Sequence, residues 1–244
     1  MKIFGNIGPF FRLIRTLKKQ NRHLRQVEAA RAAGETETEK ALIGSAVKEW
    51  IADVERIYDL HFVVTGREKI PEETCAFYCN HQSYADIVAM MSAMDGRQIG
   101  FIAKEELGKV PYVGKWILGT RGMLIQRGDS RKSLETIRQG IQYLQEGFNL
   151  CIFPEGTRSK GGPMKAFKPG SFKLATKAKV PIVPVTLEGG YRVFEETGTL
   201  TKGITVQVVF HDPIPTADKD RAQLAQIHTQ VENIIRETLE KLRG

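Results

Sequence analysis

From residue 61 onward, short runs of β-branched and aromatic residues alternate with longer stretches of helical periodicity. The alternation predicts an α/β fold: a mostly parallel or mixed sheet of about seven strands, flanked by helices. In such sheets ligands bind beyond the carboxyl ends of the strands, so the residues after each strand are the first candidates for a site. Strands are predicted for 62–65, 75–79, 98–103, 123–126, 150–153, 182–187 and 204–210, and helices for 83–93, 105–118, 130–145, 171–178 and 219–241.

Composition excludes two classes of protein. A chain of 244 residues that is 41% hydrophobic can bury a core without covalent staples. Its three cysteines form no C-x-x-C pair, which excludes a disulfide-built secreted scaffold and favours a reducing compartment. No apolar run approaches the roughly 18 residues of a membrane-spanning helix, so none is predicted.

The positive charge is concentrated at the amino terminus. Residues 1–25 hold seven of the basic residues and no acidic one, whereas the other 219 residues are nearly balanced, with 29 basic and 28 acidic residues. Apolar residues in this arm recur every three or four positions, at Ile3, Ile7, Phe10, Phe11, Ile14 and Leu17. A helix with Phe on one face and bases on the other indicates an interfacial helix whose partner is an anionic membrane surface. The alternatives are packing of the helix against the protein itself and binding of nucleic acid. Of the three interpretations the membrane surface is favoured, and we expect no nucleic-acid partner.

A second amphipathic helix follows a polar break at residues 33–37. Leu42, Ala46, Trp50, Val54 and Ile57 repeat in steps of four, four, four and three. Two helices with a short polar connection form a helical hairpin. The sequence therefore predicts a membrane-interface hairpin over residues 1–58 and a main domain over residues 59–244.

The first chemical constellation follows the strand 75–79. His81 and Asp86 would lie about 140° apart on one continuous helix, so they meet only if His81 precedes the helix and Asp86 stands in its first turn. The carboxylate could then fix one imidazole tautomer and leave the other ring nitrogen as a general base. Ser83 and Asp86 also fit a capping box, which starts a helix without any catalysis. Both interpretations can hold together.

Two further strand ends carry arginine. Residues 153–159 read Phe-Pro-Glu-Gly-Thr-Arg-Ser, in which Gly156 permits close backbone approach and Arg158 offers a fork of donors. The strand 123–126 is followed by Arg127. A histidine with two guanidinium groups suits a phosphorylated substrate, although a plain surface turn and a surface arginine are the alternatives.

Several other classes of site have no support in the sequence. The chain contains neither a G-x-x-x-x-G-K-[ST] nor a G-x-G-x-x-G loop for nucleotide phosphates, and no G-x-S-x-G elbow of α/β-hydrolases. The five histidines lack the spacing of zinc ligands. We therefore expect no metal and no nucleotide cofactor.

Four blocks resemble those of the glycerolipid acyltransferases, in the same order. Residues 80–86 resemble the N-H-x-x-x-x-D block, and 122–127 resemble a Gly-led strand that ends in Arg. Residues 153–159 match F-P-E-G-T-R-S letter for letter, and 180–185 read V-P-I-V-P-V. The resemblance covers about residues 60–212. The short length and the amino-terminal hairpin are similar to the bacterial 1-acylglycerol-3-phosphate acyltransferases in particular.

The resemblance implies a role for each block. His81 would be the general base that takes the proton of the acceptor hydroxyl, and Asp86 would orient its ring. The freed alkoxide would attack an acyl thioester directly, without an acyl-enzyme. Lys104, which follows the strand 98–103, is expected to line the same site. The residues expected to bind the acceptor are Arg127, Glu155, Gly156, Thr157 and Arg158, with the arginines on the phosphate.

The implied function is transfer of a fatty acyl group to the 2-hydroxyl of 1-acylglycerol 3-phosphate, a lysophospholipid acceptor, to make phosphatidic acid. The donor would be a thioester of coenzyme A or acyl-carrier protein, with no further cofactor. The expected location is the cytoplasmic face of the cell membrane, peripheral or monotopic. Acylation of glycerol 3-phosphate or another lysophospholipid, a hydrolase that releases fatty acid, and a non-catalytic membrane scaffold are the alternatives. The intact pair of His81 and Asp86 argues against the scaffold.

Overall fold

The computed structural model describes residues 7–126 and 130–244. Helices and strands alternate after an amino-terminal pair of helices. In chain order they are α1 (Ile7–Ala32), α2 (Thr36–Tyr58), β1 (Leu60–Thr65), β2 (Ala76–Cys79), α3 (Ala85–Ala93), β3 (Gly100–Lys104), α4 (Val113–Gly119), β4 (Met123–Ile125), α5 (Ser130–Gln145), β5 (Leu150–Ile152), α6 (Lys173–Ala178), β6 (Ile182–Glu188), β7 (Ile204–Phe210) and α7 (Arg221–Arg243).

The strands form one mixed sheet in the order β1-β7-β6-β2-β5-β3-β4. Strand β6 pairs with β7 in antiparallel fashion, and the other neighbouring pairs of described strands are parallel. The carboxyl ends of β6, β2, β5, β3 and β4 therefore meet at one edge of the sheet. The predicted fold class, a seven-stranded mixed sheet behind a helical pair, is confirmed.

Strand β2 lies in the middle of the sheet and is buried along its whole length. Its successive side chains point to opposite faces, as the pleat requires. Phe77 packs into the core beneath α2 and α3, whereas Tyr78 packs into the core beneath α6 and α7. Helices thus cover both faces of β2, which explains why the strand consists of one apolar run without polar alternation.

One predicted helix is wrong. Residues 105–118 do not form a continuous helix but divide into a short 3-10 helix, Glu105–Lys109, and α4. Pro111 has no N–H for a helical hydrogen bond, and Tyr112 adopts a left-handed φ of 66°, which ends the first segment. The other predicted boundaries of the main domain agree with the observed ones to within two residues.

Helices α1 and α2 pack side by side and share the core of the sheet. Leu17, Leu24 and Val27 of α1 are buried in the same apolar cluster as the residues of α2 and α3. Trp50 Nε1 of α2 donates a hydrogen bond to Thr16 Oγ1 at 3.0 Å. Packing on the protein itself therefore accounts for the carboxyl-terminal part of α1. Within the described residues, no helix combines the length and apolar character that crossing a bilayer requires.

Part of the positive charge of α1 is neutralised inside the hairpin. Lys19 pairs with Asp53 at 3.0 Å, and Arg22 pairs with Glu49 at 2.6 Å. Although partial burial acts in the opposite direction, hydrogen bonds from Arg22, Lys19 and His23 lower the pKa of Glu49 to about 2. Acids of α2 thus pair with bases in the middle turns of α1, and the predicted membrane partner concerns the bases that remain.

Helix α2 approaches the turn after α3 closely because Gly44 has no side chain. A Cβ added at Gly44 would lie 1.7 Å from the carbonyl oxygen of Gly96. Although Ala is the better helix former, we expect Gly44→Ala to lower the free energy of unfolding by about 1–3 kcal/mol because the backbones must separate.

The measurement is urea unfolding, with Gly170→Ala as the matched control. A Cβ at Gly170 would have no atom within 4 Å. Equal midpoints for the two variants would contradict the close approach of Gly44 and Gly96.

Candidate active site

Two loops separated by more than 70 residues of sequence join at the carboxyl edge of the sheet. Strand β2 is followed by residues 80–84 and the neighbouring β5 by residues 153–160. Ser159 N donates to His81 O at 2.7 Å, and Lys160 N donates to Gln82 O at 3.1 Å. These backbone bonds continue the pairing of β2 and β5 and bring the first and third sequence blocks together.

Asn80 connects the same turn to β6 on the other side. Its Nδ2 donates to Leu187 O at 2.8 Å, and its Oδ1 accepts from Leu187 N at 2.8 Å. The buried side chain thus forms the pair of bonds that a neighbouring strand would form. Asn80 fixes where the chain leaves β2, a role that its place in the sequence block does not reveal.

The predicted histidine–aspartate pair is present. His81 Nδ1 lies 2.8 Å from Asp86 Oδ2, and the same oxygen accepts from Gln82 N at 2.6 Å and Ser83 N at 2.8 Å. Asp86 is 0% exposed. Burial raises the pKa of Asp86 above its ordinary value, although the hydrogen bond from His81 acts in the opposite direction. One carboxylate oxygen therefore holds both the imidazole and the turn that carries it.

The geometry leaves one ring nitrogen of His81 available. A hydrogen bond from Nδ1 to the carboxylate assigns the proton to Nδ1 and a lone pair to Nε2. Nε2 has no hydrogen-bond partner within the part of the chain that the structure describes. The ring stacks on Phe153 at a centroid distance of 4.1 Å, and the side chain is 15% exposed. Nε2 is placed as a general base requires.

Only half of the predicted capping box forms. Asp86 accepts from Ser83 N, but Ser83 Oγ accepts from Ala85 N at 3.0 Å and donates to Glu195 Oε2 at 2.6 Å. Helix α3 therefore begins at Ala85, two residues later than predicted. The carboxylate of Asp86 serves both interpretations of the sequence, because it closes the turn and orients His81.

Glu155 supports the backbone of this turn. Its Oε1 accepts from His81 N at 2.6 Å and its Oε2 accepts from Lys165 N at 2.9 Å. The side chain is buried, and burial raises the pKa of Glu155. Both oxygens are thus occupied by backbone N–H groups, which favours a bracing role. The expectation that Glu155 binds the acceptor stays a prediction.

Arg158 lies beside the turn, held by two residues. Its Nη1 forms an ion pair with Glu195 Oε1 at 2.5 Å, and its guanidinium carbon lies 3.6 Å from the ring centroid of Tyr84. Glu195 lies outside all four sequence blocks. Sequence analysis missed this residue, because nothing local separates a buried glutamate in a polar loop from an exposed one.

Comparison with known proteins assigns the family. A family model described as Acyltransferase matches residues 61–188, which are 128 of the 244 residues. The chain belongs to the acyltransferase family. The matched segment begins in β1 and ends with β6, so it includes the turn of His81 and the loop of Arg158.

Individual relatives of the acyltransferase extend this result. The chain is 34% identical to the chloroplastic 1-acyl-sn-glycerol-3-phosphate acyltransferase BAT2 of Brassica napus over 62% of its own length, but it covers only 44% of that relative. It is 30% identical to the human 1-acyl-sn-glycerol-3-phosphate acyltransferase beta, covering 77% of this chain and 66% of the human protein. The crystal structure of the acyltransferase PlsC from Thermotoga maritima superposes with a TM-score of 0.74 at 25% identity, covering 96% of this chain and 98% of that chain.

The other described residues that the sequence analysis predicted for the site follow β5 or end β3 at the same edge of the sheet. Gly156 follows Glu155 with φ 69°, and a Cβ there would lie 2.7 Å from Lys168 Nζ. Thr157 is exposed, and the exposed Lys104 ends β3, which is separated from β2 by β5. Arg127 lies outside the described residues. Among the described residues, no group of three His, Cys, Asp or Glu side chains could hold a metal ion.

The two roles considered for Glu155 give different results on substitution. In Glu155→Gln, one of the two backbone N–H groups faces an amide NH₂ instead of an acceptor. We expect the free energy of unfolding to fall by about 1–3 kcal/mol, together with the turnover number, whereas the KM for the acceptor changes little. Urea unfolding and steady-state kinetics measure these effects.

Glu105→Gln is the control, because Glu105 is an exposed acid at the same edge. Unchanged stability of Glu155→Gln with a raised KM for the acceptor would instead identify Glu155 as an acceptor contact.

Proposed function

We propose that this acyltransferase transfers a fatty acyl group from a thioester donor to the 2-hydroxyl of 1-acylglycerol 3-phosphate, which yields phosphatidic acid. The observation that carries the proposal is the His81–Asp86 pair, which leaves His81 Nε2 without a hydrogen-bond partner in the described residues. The names of the relatives support the choice of acceptor. The donor is an acyl thioester of coenzyme A or acyl-carrier protein, and no cofactor takes part.

The proposed reaction needs one general base and two proton transfers. His81 Nε2 takes the proton of the acceptor hydroxyl as the oxygen attacks the thioester carbonyl carbon. The C–S bond then breaks, and the departing thiolate receives the proton from the imidazolium. Asp86 keeps the ring in the required tautomer and stabilises its positive charge between the two transfers. A general base of this kind accelerates a reaction by about 10²- to 10⁴-fold.

The acceptor phosphate requires positive charge near His81. Arg158 carries a planar fork of donors that matches a phosphate, and it follows β5, the neighbour of β2. Lys104 at the end of β3 belongs to this proposal as a further cation, as does Arg127, which follows β4 in the sequence. In this proposal Arg158 binds the acceptor phosphate while the hydroxyl of the glycerol meets His81 Nε2.

The hairpin has one end suited to a membrane surface. A groove of about 490 Å³ between α1 and α2 is lined by Arg12, Arg15, Lys19 and Arg56, with one acid, Asp53. Asp53 is occupied by Lys19 and Arg56. Arg12 and Arg15 form no ion pair within the described residues. Lys19 also pairs with Glu49 outside the groove, so the positive charge that the groove retains comes from Arg12 and Arg15.

Phe11 extends this surface beyond the groove. It is 65% exposed on α1, one turn from Arg15. An aromatic side chain beside arginines is typical of helices that lie in a lipid interface. We therefore place the enzyme at an anionic membrane surface, as a peripheral or monotopic protein on the cytoplasmic face, where acceptor and product reside.

Removal of the general base tests the chemistry. His81→Ala is expected to lower kcat by at least about 10²-fold while the protein stays folded, because backbone N–H groups still hold the turn to Glu155 and Asp86. Asp86→Asn is expected to give an intermediate rate. Mass spectrometry of the product from purified enzyme, lysophosphatidate and acyl thioester measures the transfer.

His61→Ala is the matched control, since His61 lies in β1 with a 58% exposed side chain. Normal turnover by His81→Ala at saturating substrates would refute the mechanism. Release of free fatty acid without phosphatidate from the wild type would identify a hydrolase instead.

A pair of double variants tests the membrane-facing end. We expect Arg12→Gln/Arg15→Gln to weaken binding to phosphatidylglycerol vesicles by roughly 30-fold, since each base near an anionic surface contributes about 1 kcal/mol. Lys18→Gln/Arg25→Gln removes the same charge outside the groove and is expected to weaken binding less. Co-sedimentation measures the binding, with phosphatidylcholine vesicles as the uncharged reference. Equal losses in the two double variants would show that net charge, and not this groove, determines binding.

A further inference from the structure

Glu195 is a buried acid that lies beyond the residues matched by the family model. It follows the 3-10 helix Gly190–Val193, which comes directly after β6, and its side chain is 2% exposed. Oε2 accepts from Ser83 Oγ at 2.6 Å. Oε1 accepts from Arg158 Nη1 at 2.5 Å and from Tyr84 N at 3.3 Å. One carboxylate thus connects the segments that follow β2, β5 and β6.

The contacts of Glu195 determine how Arg158 is presented. The guanidinium is held at Nη1 by the carboxylate and stacks over the ring of Tyr84, and the Arg158 side chain is 22% exposed. Its Nε and Nη2 have no hydrogen-bond partner within the described residues. A guanidinium fixed in this way presents its remaining donors in one plane, which is the geometry that a phosphate accepts.

The same carboxylate also supports the catalytic pair. Ser83 Oγ donates to Glu195 and accepts from Ala85 N at the start of α3. Asp86 stands in the first turn of that helix and accepts from Ser83 N. A displacement of Glu195 would therefore disturb both the arginine and the turn that carries Asp86.

We propose that Glu195 is a positioning residue that aligns Arg158 with the phosphate of the acceptor and, through Ser83, keeps this arginine in register with the His81–Asp86 pair. The inference rests on the proposed function, since it concerns the acceptor of that reaction. It adds to the reaction a residue outside the four sequence blocks.

Repulsion between Glu195 and the acceptor phosphate acts against this role. A carboxylate near the acceptor repels its phosphate, whereas an unrestrained arginine loses rotamer freedom when it binds. The charge of Glu195 is shared among three donors, of which one is itself a cation, so its field at the far edge of the guanidinium is weakened. We therefore expect the ordering of Arg158 to outweigh the repulsion of the phosphate.

The test is a double-mutant cycle with two acceptors. Glu195→Ala, Arg158→Ala and the double variant are assayed with lysophosphatidate and with a monoacylglycerol of the same chain, using one thioester donor. We expect Glu195→Ala to reduce the preference for the phosphorylated acceptor, as a ratio of kcat/KM values, by about 10-fold. Added to Arg158→Ala, it should change this ratio by less than about 2-fold, because the two residues act as a unit.

Two further variants separate charge from folding. Glu195→Gln keeps an oxygen that can accept from Ser83, and we expect it to shift the ratio in the same direction by about 3-fold. If Glu195→Ala does not fold, this variant tests the positioning role instead. Glu196→Gln removes the same charge from the next, exposed residue and is expected to leave the ratio unchanged.

The outcomes distinguish this inference from the proposed function. A wild type that acylates neither acceptor refutes the proposed function itself. A wild type that prefers the phosphorylated acceptor, with independent effects of Glu195 and Arg158, refutes only the positioning role. Equal losses of kcat/KM on both acceptors would show that Glu195 has only a structural role. A lower KM for lysophosphatidate in Glu195→Gln would show that repulsion of the phosphate outweighs the ordering of Arg158.

Discussion

The whole site depends on a single buried oxygen. Asp86 Oδ2 accepts hydrogen bonds from an imidazole and from two consecutive backbone N–H groups, so the histidine and the turn that carries it are fixed by the same atom. The second oxygen, Oδ1, has no hydrogen-bond partner within the described residues. A Cβ added at Gly190 would lie 2.5 Å from this oxygen. Only a glycine at this position leaves room for the carboxylate.

Three buried glutamates surround this turn, each from a different segment of the chain. Glu155 accepts from the backbone of His81, Glu195 from Ser83 and Arg158, and Glu188 from Gln82 Nε2 and Arg243 Nε. Burial of a carboxylate is unfavourable unless donors compensate it, and here backbone N–H groups and arginines do so. The turn of His81 is therefore held from several sides by polar contacts, whereas the sheet below it is held by apolar packing.

The amino-terminal hairpin combines two tasks along one helix. The middle and carboxyl-terminal turns of α1 contribute Leu17, Leu24 and Val27 to the core, and acids of α2 neutralise the bases beside them. Its amino-terminal turns keep arginines without acidic partners in the described residues, next to the exposed Phe11. Along α1, the bases therefore change from ion-paired in the middle turns to unpaired, within the described residues, in the amino-terminal turns.

The sequence by itself determined the order of helices and strands, the hairpin and the pairing of His81 with Asp86. Periodicity and turn spacing are local properties, and a few neighbouring residues decide them. It also contained the reason for the one wrong helix, since Pro111 interrupts residues 105–118. The tertiary structure alone decided that Asn80 bonds to β6, that Glu155 braces the backbone of His81, and that Glu195 holds Arg158. The partner of a buried polar group depends on which strands become neighbours, and that order arises only when distant segments pack into one sheet.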